Sequence, residues 1–178
     1  MIAPAVPTPE EWPETVFAGL IEAGVWLFAY VPDAGNKHLI ELADAHPVAR
    51  TVLLTTEEEG IALCAGADLV GKRAILCMQS SGVGNCPNFL TLAKGAGFPI
   101  LMMVSMRGGP KEQNPWQKPM GRNAKKLLTT AGFDVEVVSE PGAAAETVAE
   151  AAEGVFKNNG RTAVLLHQKL SPKKTFGK

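Results

Sequence analysis

The sequence predicts an α/β fold: a single doubly wound domain with a mostly parallel, about six-stranded sheet and helices on both faces. Three observations predict it. Short β-branched and aromatic runs alternate with helical patterns about six times along the 178 residues. Those runs are continuously apolar, without polar alternation, as in strands covered on both faces. No linker or internal repeat divides the chain, so residues 1–178 read as one domain. Residues 1–9 form a loose N-terminal arm, since four of the first thirteen residues are proline.

The elements follow in order. Trp12, Val16, Phe17, Leu20 and Ile21 recur at helical spacing over residues 10–22, with Thr8 as N-cap and Gly24 as the end. "VWLFAYV" is a buried strand closed by Pro32. Residues 35–45 form an amphipathic helix and "RTVLLTT" a short strand. "EEEGIALCAGADLVG" is a helix rich in small residues, ending at Gly71. "AILCM" is a central strand and "QSSGVGN" its loop. "CPNFLTLAKGAG" gives a helix and "PILMMVSM" a strand. "RGGPKEQNPWQKPMGRN" reads as a long polar loop before the helix "AKKLLTTAG" and the strand "DVEVVS". An Ala-rich helix over residues 141–158 and the strand "TAVLLH" complete the pattern. Strand order is not readable from such a pattern.

Composition narrows function. Hydrophobic residues make up 46% and charged residues 20%, with a net charge of −1. That balance offers no electrostatic attraction to nucleic acid or an anionic membrane. No apolar run approaches the ~20 residues that span a bilayer. The start, "MIAPAVPTPEEWPE", has no basic leader region. Cys64, Cys77 and Cys86 lack zinc-site spacing and read as reduced thiols of a cytoplasmic protein. His38, His46 and His167 are isolated and read as surface or capping residues. No nucleophile elbow and no metal site are suggested.

In parallel sheets, ligands bind beyond the carboxyl ends of the strands. Three loops there stand out: "PDAGN", "TTEEE" and "QSSGVGN". The last matches neither the dinucleotide nor the phosphate-loop pattern. Its two glycines, flanked by Ser80, Ser81 and Asn85, exceed what a plain turn needs, and small residues admit a close-lying ring or backbone. A turn alone remains the other reading. Glu57, Glu58 and Glu59 fit the first turn of a helix, where carboxylates complement the dipole. Three adjacent acids repel, however, and one of them, desolvated, is able to share a proton with a ring nitrogen.

The combination of E-E-E-G, Q-x-S-G-x-G-N and P-M-G resembles the pyrimidine-binding domain of thiamine diphosphate enzymes. Among these it is similar to the alpha subunits of sulfopyruvate decarboxylase, with phosphonopyruvate decarboxylases as close relatives. The likeness runs from about Val31 to Ser139. It implies a cytoplasmic lyase subunit acting on a 2-oxo acid, in which one glutamate hydrogen-bonds the cofactor's aminopyrimidine and thereby promotes loss of the thiazolium proton. The family's spacing to a following glycine points to Glu57, with Gly66 nine residues on; Glu58 is the alternative. The resemblance implies that Gln79, Ser81, Gly82, Gly84 and Asn85 surround the pyrimidine. It also implies that Asp33, Ala34, Gln79 and Arg107 face the substrate; Arg107 and Lys118 are the cations placed to meet a sulfonate or phosphonate, solvated loop charges being the other reading of each. Ala34 stands where a hydroxyl or acid is commoner. The family's G-D-G diphosphate motif is absent from the sequence. The resemblance therefore implies that diphosphate and Mg²⁺ are held by a separate beta subunit, this chain also pairing with itself. Two other readings stay open: a non-catalytic pyrimidine-domain relative binding another small ligand, and an unrelated nucleotide-binding α/β module.

Overall fold

The computed structural model describes residues 11–110 and 112–171. The arm over residues 1–9 and the Thr8 cap lie outside them. Among the described residues, α1 (Trp12–Glu22) leads to β1 (Val25–Tyr30), α2 (Lys37–Ala45), β2 (Arg50–Leu53), α3 (Glu57–Leu69) and β3 (Arg73–Gln79). A 3-10 turn (Gly82–Asn85), α4 (Pro87–Ala96), β4 (Ile100–Ser105), α5 (Gln117–Thr130), β5 (Asp134–Val138), α6 (Pro141–Asn158) and β6 (Arg161–Leu166) follow. A last 3-10 turn spans Gln168–Leu170. No helix among the described residues is long and apolar enough to cross a membrane.

The six strands form one sheet in the order β2-β1-β3-β4-β6-β5, and every neighbouring pair is parallel. Side chains alternate across it. Ile75, Cys77, Leu101 and Met103 point into one core with α1, α2 and α6. Leu76, Met78, Met102 and Val104 point into the other with α3, α4 and α5. This division follows from handedness. Steps toward β2 cross on the α2 and α6 face, while steps toward β5 cross on the α3, α4 and α5 face, so every crossover keeps one hand. The chain reverses direction between β1 and β3, which makes their carboxyl ends the crevice of the sheet. In register, Tyr30 lies opposite Leu53 and Cys77, and Gln79 opposite Ser105. β3 and β4 therefore end two residues above β1.

One element differs from its sequence expectation. The predicted loop over residues 107–123 is loop only to Trp116, and α5 begins at Gln117. Pro119 lies in the first turn, where a missing N–H is tolerated. Gly121 is required by packing: a Cβ there would stand 1.9 Å from the Arg107 carbonyl oxygen. At the other end of the pattern, Gly24 adopts φ +75° just past α1, as an ending glycine should.

Candidate functional site

α3 starts directly after β2, at the carboxyl edge of the sheet. Thr56 is extended (φ −151°, ψ 156°) and turns the chain into the helix. Gly60 then lets α3 settle onto β3, since a Cβ there would meet Leu76 Cδ1 at 2.3 Å. The settled helix carries its first residue inward, and Glu57 is only 6% exposed. Its Oε2 accepts a hydrogen bond from Asn85 Nδ2 at 2.7 Å. Gly82 lies on the same carboxyl group: a Cβ there would be 2.3 Å from Oε1. Cys86, fully buried, donates its Sγ–H to the Gly82 carbonyl at 3.3 Å. Burial, with added repulsion from Glu57 and Glu58, pushes that thiol up to about 12.

The acidic trio therefore divides. Glu58 accepts from the Thr56 hydroxyl, which holds its carboxyl below the ordinary value. Glu59 reaches back out of the helix to accept from the Thr55 N–H at 2.9 Å, one residue before the N-cap. Only Glu57 is turned into the protein.

The loop after β3 is fixed from both sides. Ser80 is fully buried. Its N–H donates to the Ser105 carbonyl at 2.9 Å, and its Oγ accepts from the Arg107 N–H at 3.0 Å. Gly84 rests against Met120 of α5, a Cβ there meeting Met120 Cε at 3.0 Å. The P-M-G segment thus supports the loop with Met120 and admits Arg107's backbone with Gly121. Ser81 and Gln79 are half-buried at the crevice, and Gly84 and Asn85 are exposed.

Asp33 has a different setting. Its carboxylate accepts from the Gly35 N–H at 2.6 Å, the Asn36 N–H at 3.2 Å, Ser105 Oγ at 2.5 Å and Asn36 Nδ2 at 2.9 Å. Asn36, 1% exposed, also donates Nδ2 to the carbonyls of Met78 at 3.2 Å and Met103 at 3.3 Å. Asp33 and Asn36 therefore tie the first loop over the ends of β3 and β4. Ala34 is half-buried beside them. A pocket of about 190 Å³, lined by Tyr30, Pro32, Asp33 and Lys37 among others, opens on the α2 side. Sequence reasoning missed Asn36 and Ser105; the Asp-x-Gly-Asn turn was the available signal.

Arg107 is already matched within the chain. Its Nε and guanidinium NH2 groups donate to Glu112 at 2.9 and 2.8 Å. Glu112 also accepts from the N–H groups of Gly108 at 3.1 Å and Asn114 at 2.9 Å, and from Gln168 Nε2 at 3.0 Å. Burial alone would raise this carboxyl, but the hydrogen bonds from Arg107 and the two backbone N–H groups, with Arg107's charge, hold it at about 2. The charge expected to meet a substrate anion is thus engaged by Glu112, another residue the sequence did not single out. The histidines keep to surface and capping roles: His38 pairs with Glu14 at 2.7 Å. The rings of His46 and His167 accept from the N–H groups of Ala49 and Lys169, each at 3.2 Å.

The fold recurs in a much larger protein. It superposes with a TM-score of 0.71 on 2-oxoglutarate:ferredoxin oxidoreductase from Magnetococcus marinus, at 16% identity, covering 90% of this chain and 29% of that one. This defines the class, a parallel α/β domain of the kind built into that oxidoreductase. No family model matches the chain. Full-length relatives are more specific. The sulfopyruvate decarboxylase alpha subunit of Methanothermobacter thermautotrophicus is 35% identical over 154 residues, 86% of this chain and 93% of that subunit. The chain belongs to the family of sulfopyruvate decarboxylase alpha subunits, subunits of thiamine diphosphate-dependent carboxy-lyases. Sulfopyruvate decarboxylase of Methanosarcina acetivorans is 32% identical over 71% of this chain, which covers 33% of that longer protein. Phosphonopyruvate decarboxylase of Streptomyces viridochromogenes is 34% identical over 69% of this chain.

Proposed function

We propose that this chain is the cytoplasmic alpha subunit of an enzyme that converts 3-sulfopyruvate to sulfoacetaldehyde and carbon dioxide, with Glu57 as the acid that activates the cofactor. The observation that carries this is a buried carboxyl at the carboxyl edge of the sheet, held by Asn85 through one oxygen and flanked by a side-chain-free Gly82. Those residues fit a flat nitrogen heterocycle. Any side chain at residue 82 would collide with the carboxyl itself, its Cβ standing 2.3 Å from Oε1. When bound, thiamine diphosphate supplies a centre that stabilises the carbanion left by departing carbon dioxide.

The chain's own residues perform the preceding steps. Asn85 fixes the Glu57 carboxyl, leaving its other oxygen for a ring nitrogen. Glu57 would share a proton with such a nitrogen, and poor access of water would strengthen the exchange. Ser81, Gly82 and Gly84 shape the wall beside it, and Gln79 faces the substrate from the end of β3. Asp33 and Ala34 bound the crevice on the β1 side, with Asp33 ordering the loop through its hydrogen bonds. The backbone N–H of Arg107 holds Ser80, so this residue would act on the site through the main chain of its loop.

A beta subunit supplies the diphosphate and Mg²⁺ sites. Two observations support this: the full-length relatives are themselves alpha subunits, and the Methanosarcina protein devotes only a third of its length to this part. The exposed apolar side chains Leu69 and Val70 of the α3 end and Leu92 of α4 suit contact with that subunit or a second copy of this chain. Sulfopyruvate is favoured over phosphonopyruvate because its decarboxylase relatives match more of the chain. Three buried free thiols agree with a reducing cytoplasm.

Co-expression with a diphosphate-binding subunit, followed by measurement of carbon dioxide release from 3-sulfopyruvate, tests the reading. Glu57→Gln is expected to lower kcat by about 10² to 10⁴, the range of one positioned proton-transfer group, while the circular dichroism of the chain is unchanged. Activity within tenfold of the parent complex would remove Glu57 from its role.

A further inference from the structure

Gln117 opens α5 and is 3% exposed. Among the described residues its Oε1 has no hydrogen-bond partner. A buried side-chain carbonyl without a partner is uncommon and costs stability, so it calls for a cause. Position supplies one. Gln117, Gly121, Ala124 and Leu128 share a face of α5, spaced by four, three and four residues. Ala124 and Leu128 pack fully buried in the core under that face, and Gly121 abuts the Arg107 carbonyl. One turn further along this face, Gln117 abuts the loop after β4: a Cβ at Gly108, the residue after Arg107, would stand 3.1 Å from the Gln117 carbonyl oxygen. The next residues on the helix touch the same loop, Met120 meeting Gly84. The helix N-terminus itself offers no anion site here, because the N–H groups of Gln117 and Lys118 already bond Asn114 and Pro115 carbonyls, and Pro119 has none.

We propose that Gln117 contacts the substrate: its buried amide hydrogen-bonds the acidic group of the bound 2-oxo acid, from the α5 side of the crevice opposite Glu57. An amide turns end for end at small cost, presenting Nε2 to an anion. With Arg107 closed on Glu112, such a donor recognises the acid without adding a buried charge. This rests on the decarboxylase reading above.

The test uses Gln117→Leu and Gln117→Glu in the full chain and in its complex with the beta subunit. Removing an unpartnered amide leaves the melting temperature of the free chain unchanged or raised for Leu. In the complex, KM for 3-sulfopyruvate rises about tenfold or more for Leu, as for a lost hydrogen bond to a charged group, and further for Glu. The thermal shift that 3-sulfopyruvate gives the parent complex is correspondingly lost. A melting temperature lowered by several degrees with KM unchanged makes Gln117 structural and overturns the proposal. A parent complex that neither turns over nor is shifted by 3-sulfopyruvate or phosphonopyruvate overturns it together with the reading beneath it. Loss confined to Glu57→Gln, with both Gln117 variants behaving as the parent, overturns this inference alone.

Discussion

Glu112→Gln isolates the clamp that organises the loop before α5. The carboxylate receives five hydrogen bonds, from Arg107 twice and from Gly108, Asn114 and Gln168. Its side chain is 1% exposed and Arg107's is 15%, so solvent screens the pair little. A carboxyl held at about 2 rather than 4.5 contributes about 3 kcal/mol to folding once ionised. Removing one partner of a buried ion pair costs about 3 to 5 kcal/mol by an independent route. The glutamine also turns an NH2 toward the guanidinium, setting donor against donor. For a chain of this size each kcal/mol moves the melting temperature by about 2 to 4 °C, so a fall of about 6 to 12 °C is expected at pH 7. The pH dependence has a fixed sign. Glu112's folded value lies below its unfolded one, so the contribution is complete above about pH 4.5 and fades as pH falls toward 2. Urea unfolding of parent and variant should show a gap that narrows across that window. A gap under 1 kcal/mol at pH 7, or one unchanged between pH 7 and pH 3, would refute the reasoning.

Two further substitutions and one titration complete the set. Gly121→Ala drives a methyl into the Arg107 carbonyl and should cost about 1 to 3 kcal/mol or more, read by denaturation. Gly66→Ala, with open space around the new carbon, should instead stabilise the free chain by about 0.5 to 1 kcal/mol; a loss there would mean that α3 is packed differently. His38 is raised chiefly by its hydrogen bond to Glu14. Its contribution is therefore fully present below about pH 6.5 and is lost as pH rises through the elevated folded value, so an NMR titration of the ring with its midpoint above 6.5 is expected.

The α/β layering was legible because continuous apolar runs such as "PILMMVSM" have no polar face to show water. Strand order was not, because β1, β3, β4 and β6 are equally apolar and nothing local states which neighbours which. The start of α5 was hidden by Pro119 and Gly121, residues that usually break helices; here one falls where its missing N–H costs nothing and the other where a backbone crosses. Glu57 was visible as one of three acids, but its burial depends on Gly60 seating α3 against Leu76, a contact across the fold. Arg107 looked available because its partner, Glu112, sits in a segment that reads as solvent-exposed loop. Asp33 looked like a ligand group, though three of its four hydrogen bonds close a local turn and only that to Ser105 reaches far along the chain.

Cys86 sits one residue from Asn85, and burial with repulsion from Glu57 and Glu58 holds its thiol near 12. At pH 8 only about one molecule in ten thousand carries the nucleophilic thiolate there. Alkylating reagents should therefore pass over this centre while the fold is closed and mark it only when the chain opens. The rate of its modification becomes a clock for breathing of the catalytic half, readable without any substrate.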